Sequence, residues 1–282
     1  FGEWATNSYT EKATRYFYEN RAEKTYPYQE FDVGRPIETP SIYDDLTNKG
    51  AVFGQSFGME HPNWFASKIG IKDTLTFGQP NWWFPVAEEG KHIRNEVGLM
   101  EYSAMAKFEI SGPNAEHWLN FIMANKMPKV GKIILTPMLS ENGKVIGDLS
   151  ISKITDTTFL ILGADIMQLS FARHFNKYLP QEGVIIKNLS SELAGLHLCG
   201  PNSKELLSRI VKRDMTSENF SFMSCDKISV GSICNVNILR ISFTGECGYE
   251  LYVERADQRR LFDILLSEGK SLGIRLVGTR SL

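Results

Sequence analysis

Phe108-Glu-Ile-Ser-Gly-Pro-Asn-Ala-Glu116 is answered by Gly195-Leu-His-Leu-Cys-Gly-Pro-Asn-Ser-Lys204, and this echo decides the fold. In each copy a short apolar run reads as a strand and Gly-Pro-Asn opens a helix. Pro stands in the first turn, where its missing N–H costs nothing. The two turns lie about 88 residues apart. Each copy is followed by a later strand–helix step, over 159–175 and 249–264. Two copies of one unit predict a pseudo-symmetric α+β domain of ferredoxin-like strand–helix units, with any ligand held between or across the halves.

Outward from the echo, apolar runs predict strands over 133–139, 145–151, 159–162, 184–188, 196–199, 238–243 and 249–253. Helices are expected from the mid-160s to about Tyr178, over 203–211 and over 258–266. Residues 1–88 read differently. Aromatic residues crowd the start (Trp4, Tyr9, Tyr16, Phe17), and a second aromatic cluster includes Trp64, Trp82 and Trp83. Helical periodicity appears there only around 10–21 and 41–49, amid Gly- and Pro-rich loop. That stretch is expected to be a connector that wraps a domain spanning 89–282.

The 31 Lys and Arg against 33 Asp and Glu leave a net charge of −2 over 282 residues, which argues against a nucleic-acid surface or a polybasic membrane face. No run approaches the roughly 18–20 apolar residues of a membrane helix. Phe1-Gly-Glu-Trp4 is not a secretory signal, so a soluble protein is expected. The absence of an initial Met and the abrupt Thr279-Arg-Ser-Leu282 ending predict a fragment of a longer polypeptide. Cys199, Cys225, Cys234 and Cys247 show no CxxC spacing and read as reduced thiols. The five histidines are scattered without HExxH, and no metal is expected. His197 and Cys199 share a strand face, which reads as core packing.

Two stretches carry candidate chemistry. In Leu135-Thr-Pro-Met-Leu-Ser-Glu-Asn-Gly-Lys-Val-Ile-Gly-Asp-Leu-Ser-Ile151, Asn142-Gly143 predicts a two-residue type I′ hairpin. That turn sets Pro137 opposite Asp148 and Leu135 opposite Ser150, and places Leu135, Asp148 and Ser150 on one face. The face is either solvent-exposed or, with Ile146 beside it, a partly desolvated wall where a carboxylate can move protons. In Arg240-Ile-Ser-Phe-Thr-Gly-Glu-Cys-Gly-Tyr-Glu-Leu-Tyr-Val253, Thr244-Gly245 and Cys247-Gly248 bracket a tight turn. Glu250 then interrupts an apolar strand, where acidic residues are depleted. A buried carboxylate needs donors. Arg240 supplies them in one reading; a heterocycle offering two parallel N–H groups, as a pterin does, supplies them in the other.

Residues 89–282 resemble the tetrahydrofolate-binding domain of the aminomethyltransferase (glycine-cleavage T-protein) family. The likeness rests on Gly98-Leu-Met-Glu-Tyr-Ser103, the two Gly-Pro-Asn turns, Thr136-Pro-Met-Leu139 with 143–150, and Phe243-Thr-Gly-Glu-Cys-Gly-Tyr-Glu250. Upstream, Lys49-Gly-Ala-Val-Phe-Gly-Gln-Ser-Phe-Gly-Met-Glu-His-Pro-Asn-Trp-Phe65 resembles the segment joining flavin and folate domains in dimethylglycine and sarcosine dehydrogenases. The resemblance implies capture of the one-carbon unit from N-methyl amine oxidation as 5,10-methylenetetrahydrofolate. Asp148 matches the family's catalytic aspartate and Glu250 its pterin-reading glutamate, with Leu251 and Tyr252 beside it. Leu135, Ser150 and Leu162 fall where the family lines the pterin pocket. Leu135 replaces a frequent Tyr and Gly163 stands near a usual Asn, departures from the glycine-cleavage branch. Arg280 or Leu282, depending on register, holds the position of a folate-contacting Arg. No GxGxxG follows a predicted strand, so FAD is expected on an upstream domain of the same chain. The implied partners are that domain, folate and a small N-methyl amine or iminium, with no nucleic acid or membrane. The implied compartment is the cytoplasm, or the mitochondrial matrix in a eukaryote. The competing readings are a standalone aminomethyl- or methyltransferase and a folate-binding scaffold without catalysis.

Overall fold

A computed structural model describes residues 5–243 and 245–282. The Phe1-Gly-Glu-Trp4 opening and Thr244 of the Thr-Gly turn lie outside them. The chain begins with α1 (Asn7–Asn20), whose first turn is capped by Thr6 Oγ1 accepting the Tyr9 N–H at 3.2 Å. Then come α2 (Tyr43–Asn48) and the hairpin of β1 (Ala51–Ser56) and β2 (Met59–Phe65). Next are α3 (Trp83–Asn95) and β3 (Val97–Glu101).

Two matching runs of elements follow. The first is β4 (Ala106–Ser111), α4 (Ala115–Ile122), β5 (Ile133–Leu139), β6 (Val145–Thr155), β7 (Thr158–Gly163), a 3-10 turn (Asp165–Met167), α5 (Gln168–Lys177) and β8 (Ile185–Asn188). The second is β9 (Leu193–Cys199), α6 (Ser203–Ile210), β10 (Cys225–Val230), β11 (Ile233–Leu239), β12 (Gly248–Glu254), a 3-10 turn (Arg255–Asp257), α7 (Gln258–Gly269) and β13 (Ile274–Leu276). The sheets are ordered β5-β6-β7-β4-β8 and β10-β11-β12-β9-β3-β13. The echo is therefore a full repeat, broken only where β3 wedges between β9 and β13.

The Gly-Pro-Asn turns explain themselves physically. Gly112 and Gly200 have φ of +124° and +116°, and a Cβ on either would lie 2.4 Å from a backbone oxygen, of Gly183 and Glu96 respectively. Those same oxygens accept the Asn114 and Asn202 N–H groups at 2.9 and 3.2 Å. Only glycine admits the carbonyl that closes the turn.

Alternation along each strand builds four layers. Helices α4 and α5 cover the outer face of the five-stranded sheet with Trp118, Leu119, Phe171 and Phe175, and α6 and α7 cover the other sheet with Leu206, Leu207, Phe262 and Leu265. The inner faces meet through Ile133, Leu160 and Leu162 against Leu239, Ile241 and Tyr252. The expected connector is built into this body. Ile42, Leu46 and Phe65 join the core beneath α6 and α7, and the Ser41 N–H donates to Gln258 Oε1 at 2.8 Å.

Two local expectations are corrected. At Asn142-Gly143 only Gly143 is left-handed (φ +72°), whereas type I′ needs both residues so. Ser140 instead closes the turn, accepting from the Gly143 N–H at 2.9 Å and donating to the Lys144 carbonyl at 2.8 Å. A compensating bulge between Met138 and Leu139 restores Pro137 opposite Asp148 and Leu135 opposite Ser150. The strand expected over 238–243 is Ile233–Leu239. Its outer end carries exposed Cys234 and left-handed Asn235, so it lacks the apolar alternation that marks a strand.

Candidate functional site

On β12, Tyr249, Leu251 and Val253 enter the core under α6 and α7, so Glu250 and Tyr252 point between the sheets. Glu250 is 7% exposed. Among the described residues its one donor is the Tyr252 hydroxyl, at 2.9 Å from Oε2, and burial pushes its pKa up to about 7. Arg240 does not answer it: its guanidinium donates to the Phe220 carbonyl and, at 3.2 Å, to Ser217 Oγ. The salt-bridge alternative is thus not realised. Across the strands Glu250 lies between Leu239 and His197, with Met100 next in the row.

The facing wall comes from the five-stranded sheet. Leu135, Ser150, Leu162 and Lys107 form one cross-strand row over β5, β6, β7 and β4. Leu162 is buried against Tyr252, Ser150 is half-buried, and Leu135 is 53% exposed. Asp148 stands two residues before Ser150 on the same face and is exposed at its rim. Cavities lie elsewhere on the surface. One of about 560 Å³ is lined by Glu109, Leu160, Asn237 and Arg255, and another of about 370 Å³ by Tyr28, Trp82 and Trp83; neither includes Asp148 or Glu250.

The structure thus brings Glu250, Tyr252 and Leu162 together between the sheets, with Ser150, Leu135 and Asp148 on the same face of the five-stranded sheet as Leu162. It does not bring Leu251 or Arg280 to them. Leu251 faces the opposite core because the strand alternates. Arg280 turns to the connector: Nη2 lies 2.7 Å from Asp73 Oδ2, and the guanidinium carbon sits 4.7 Å from the Trp82 ring centre. Leu282, the other residue weighed for that position, packs against the Ile93, Met100, Cys199 and Val277 cluster, with Tyr102 beside it.

Three buried polar residues behind the site escaped sequence reading as functional groups. His197 is fully buried with neither ring nitrogen partnered among the described residues, and burial lowers its pKa to about 4. Glu101 Oε1 accepts from the Ser103 N–H at 3.1 Å and Gln258 Nε2 at 2.9 Å, and burial raises its pKa to about 7. Lys107 Nζ donates to the carbonyls of Ser103 at 2.6 Å and Met105 at 2.8 Å; burial lowers its pKa to about 8, against the opposing pull of Glu101. The signal that marked Glu250, a charge inside an apolar strand, was present at Glu101 and Lys107 too.

Residues 42–282 match the GCVT N-terminal domain. The chain belongs to the GCVT aminomethyltransferase family. Human mitochondrial dimethylglycine dehydrogenase is 33% identical over 288 residues, covering 100% of this chain and 33% of the relative. A mouse mitochondrial pyruvate dehydrogenase phosphatase regulatory subunit is 29% identical over 264 residues, 91% of this chain and 30% of its own. The chain therefore spans about a third of the length of these relatives. Glycine cleavage system aminomethyltransferase T from Bartonella henselae shares the GCVT fold, with a TM-score of 0.71 at 21% identity, covering 86% of this chain and 60% of that one. This is a folate-dependent aminomethyltransferase domain related to the dimethylglycine dehydrogenases.

Tetrahydrofolate, the cofactor that GCVT membership implies, fits the residues present. Among the described residues Glu250 is a buried carboxylate with a phenol and no cation for a partner, and beside it stands an imidazole with neither nitrogen bonded. The imidazole lacks the partners that buried polar groups ordinarily have, and the carboxylate accepts from a neutral phenol. The flavin is a different case: the sequence has no GxGxxG after a strand. Among the described residues no group of three or more His, Cys, Asp or Glu is arranged to hold a metal ion, and no helix is long and apolar enough to cross a membrane.

Proposed function

We propose that this protein captures a one-carbon unit, delivered as an iminium ion or formaldehyde by N-methyl amine oxidation, to form 5,10-methylenetetrahydrofolate. The observation that carries the reading is Glu250, a carboxylate buried between the sheets of a GCVT fold with no cation paired to it among the described residues. Two parallel N–H groups of an aminopyrimidinone edge are the donors such a group lacks. Tetrahydrofolate, when bound, supplies the attacking amine nitrogens and carries the unit away. Glu250 holds the head of the ligand at the buried end, while Leu162 and Tyr252 exclude water there. Asp148, at the exposed rim of the same wall, offsets the charge of a cationic iminium and takes the proton from the attacking N–H. Kinship with dimethylglycine dehydrogenase supports a flavin domain in the same polypeptide as the source of the iminium, and a mitochondrial matrix address in a eukaryote.

The test is methylenetetrahydrofolate formation from formaldehyde, alongside calorimetry of tetrahydrofolate binding. Asp148→Asn is expected to slow formation by roughly 100-fold or more, the low end of general acid–base effects, with affinity kept. Glu250→Gln is expected to weaken binding by at least about 1.5 kcal/mol. Equal rates for the protein and Asp148→Asn would favour a folate-binding scaffold without catalysis, a reading that the regulatory-subunit relative keeps in play.

A further inference from the structure

We propose that His197 is a second polar contact for the folate head, its imidazole hydrogen-bonding the part of the heterocycle next to the edge that Glu250 accepts. The inference rests on the folate reading above and names a positioning residue within it. His197 and Glu250 are direct cross-strand partners on β9 and β12, with both side chains on the inner face. Adjacent strands lie only about 4.8 Å apart, and a bicyclic pterin is wider than that. A ring engaged by Glu250 therefore also overlies a neighbouring strand. On one side that neighbour is Leu239, which offers no polar atom; on the other it is His197.

The surroundings of the imidazole point the same way. Neither ring nitrogen has a partner among the described residues, although the side chain is fully buried. Tyr102 packs beside it at 5.5 Å between ring centres without bonding it. Glu246, a charge that acts on it electrostatically, lies 3.5 Å from Arg94 and makes no hydrogen bond to the ring. Gly248 leaves it room, since a Cβ there would stand 3.1 Å from Nε2. Held neutral, the imidazole offers one N–H donor and one acceptor, complementing a carboxylate that only accepts. A purely structural core histidine would have found a partner for at least one nitrogen.

The experiment combines calorimetric titration of tetrahydrofolate with thermal unfolding of the ligand-free protein, for the protein, His197→Leu and His197→Gln. The expected result is that His197→Leu unfolds at a higher temperature, because a buried orphan is removed, yet binds tetrahydrofolate at least fivefold more weakly. His197→Gln, which keeps a donor and an acceptor, is expected to recover most of the affinity. Unchanged affinity in His197→Leu overturns the proposal while leaving the folate reading standing. So does a lowered unfolding temperature with weak binding that Gln does not repair, the mark of a structural role. If the unmutated protein does not bind tetrahydrofolate, both fall together.

Discussion

Glu250 and His197 are neighbours whose burial acts in opposite senses. Burial raises the Glu250 pKa from 4.5 to about 7, so in the ligand-free protein its contribution to stability is intact below pH 4.5 and lost as pH rises through 7. Burial lowers the His197 pKa from 6.5 to about 4, so its contribution is intact above pH 6.5 and lost as pH falls toward 4. Glu250→Gln should therefore gain stability over the unmutated protein between pH 5 and pH 8, by up to about 3 kcal/mol, read from denaturant midpoints. Tetrahydrofolate binding needs the ionised carboxylate and should move the other way. Affinity is expected to drop about tenfold from pH 8 to pH 6, a slope that Glu250→Gln abolishes. A flat profile in the unmutated protein would remove Glu250 from the binding step.

At the level of elements, the two Gly-Pro-Asn turns are the strongest local constraints. Gly200→Ala would press a Cβ to 2.4 Å from the Glu96 oxygen and 2.6 Å from that of Ile93, at a φ that L-residues avoid. Gly143→Ala shares the positive φ but meets nothing within 4 Å. Urea titration should show Gly143→Ala costing about 1 kcal/mol and Gly200→Ala clearly more; equal losses would mean the carbonyl approach carries no weight. These turns were legible in sequence because the constraint is local and only glycine meets it. The hairpin register at Asp148 was legible for a different reason. The expected turn type was wrong, but a bulge repaid the one-residue error before Pro137, so the face assignment survived. Strands β10 and β13 were missed: their apolar alternation is short, and long-range pairing rather than local pattern holds them. Arg280 was legible as a chemical type but not as a place, since its partners Asp73 and Trp82 are about 200 residues away in the chain.

For the whole molecule, Gln258 joins three regions. Its Oε1 accepts from the Ser41 N–H at 2.8 Å, and its Nε2 donates to Glu101 at 2.9 Å and Ser103 Oγ at 3.1 Å. Gln258→Leu strands a backbone N–H from the N-terminal segment and removes one of the two donors to the Glu101 carboxylate. The expected loss is about 2–4 kcal/mol, with faster amide exchange at Ser41 than at Leu119, which lies in the distant helical layer. Uniform exchange at both would mean that the N-terminal segment is held by its apolar contacts alone. The wedge strand β3 carries a further consequence, for biosynthesis. Its five residues are buried, and both of its partners, β9 and β13, are encoded after it, the last more than 170 positions later. Once β4 to β8 have been made, the five-stranded sheet can close on itself, but β3 waits with two bare edges. The nascent chain is exposed to misassociation at that apolar strand until Ile274–Leu276 has emerged.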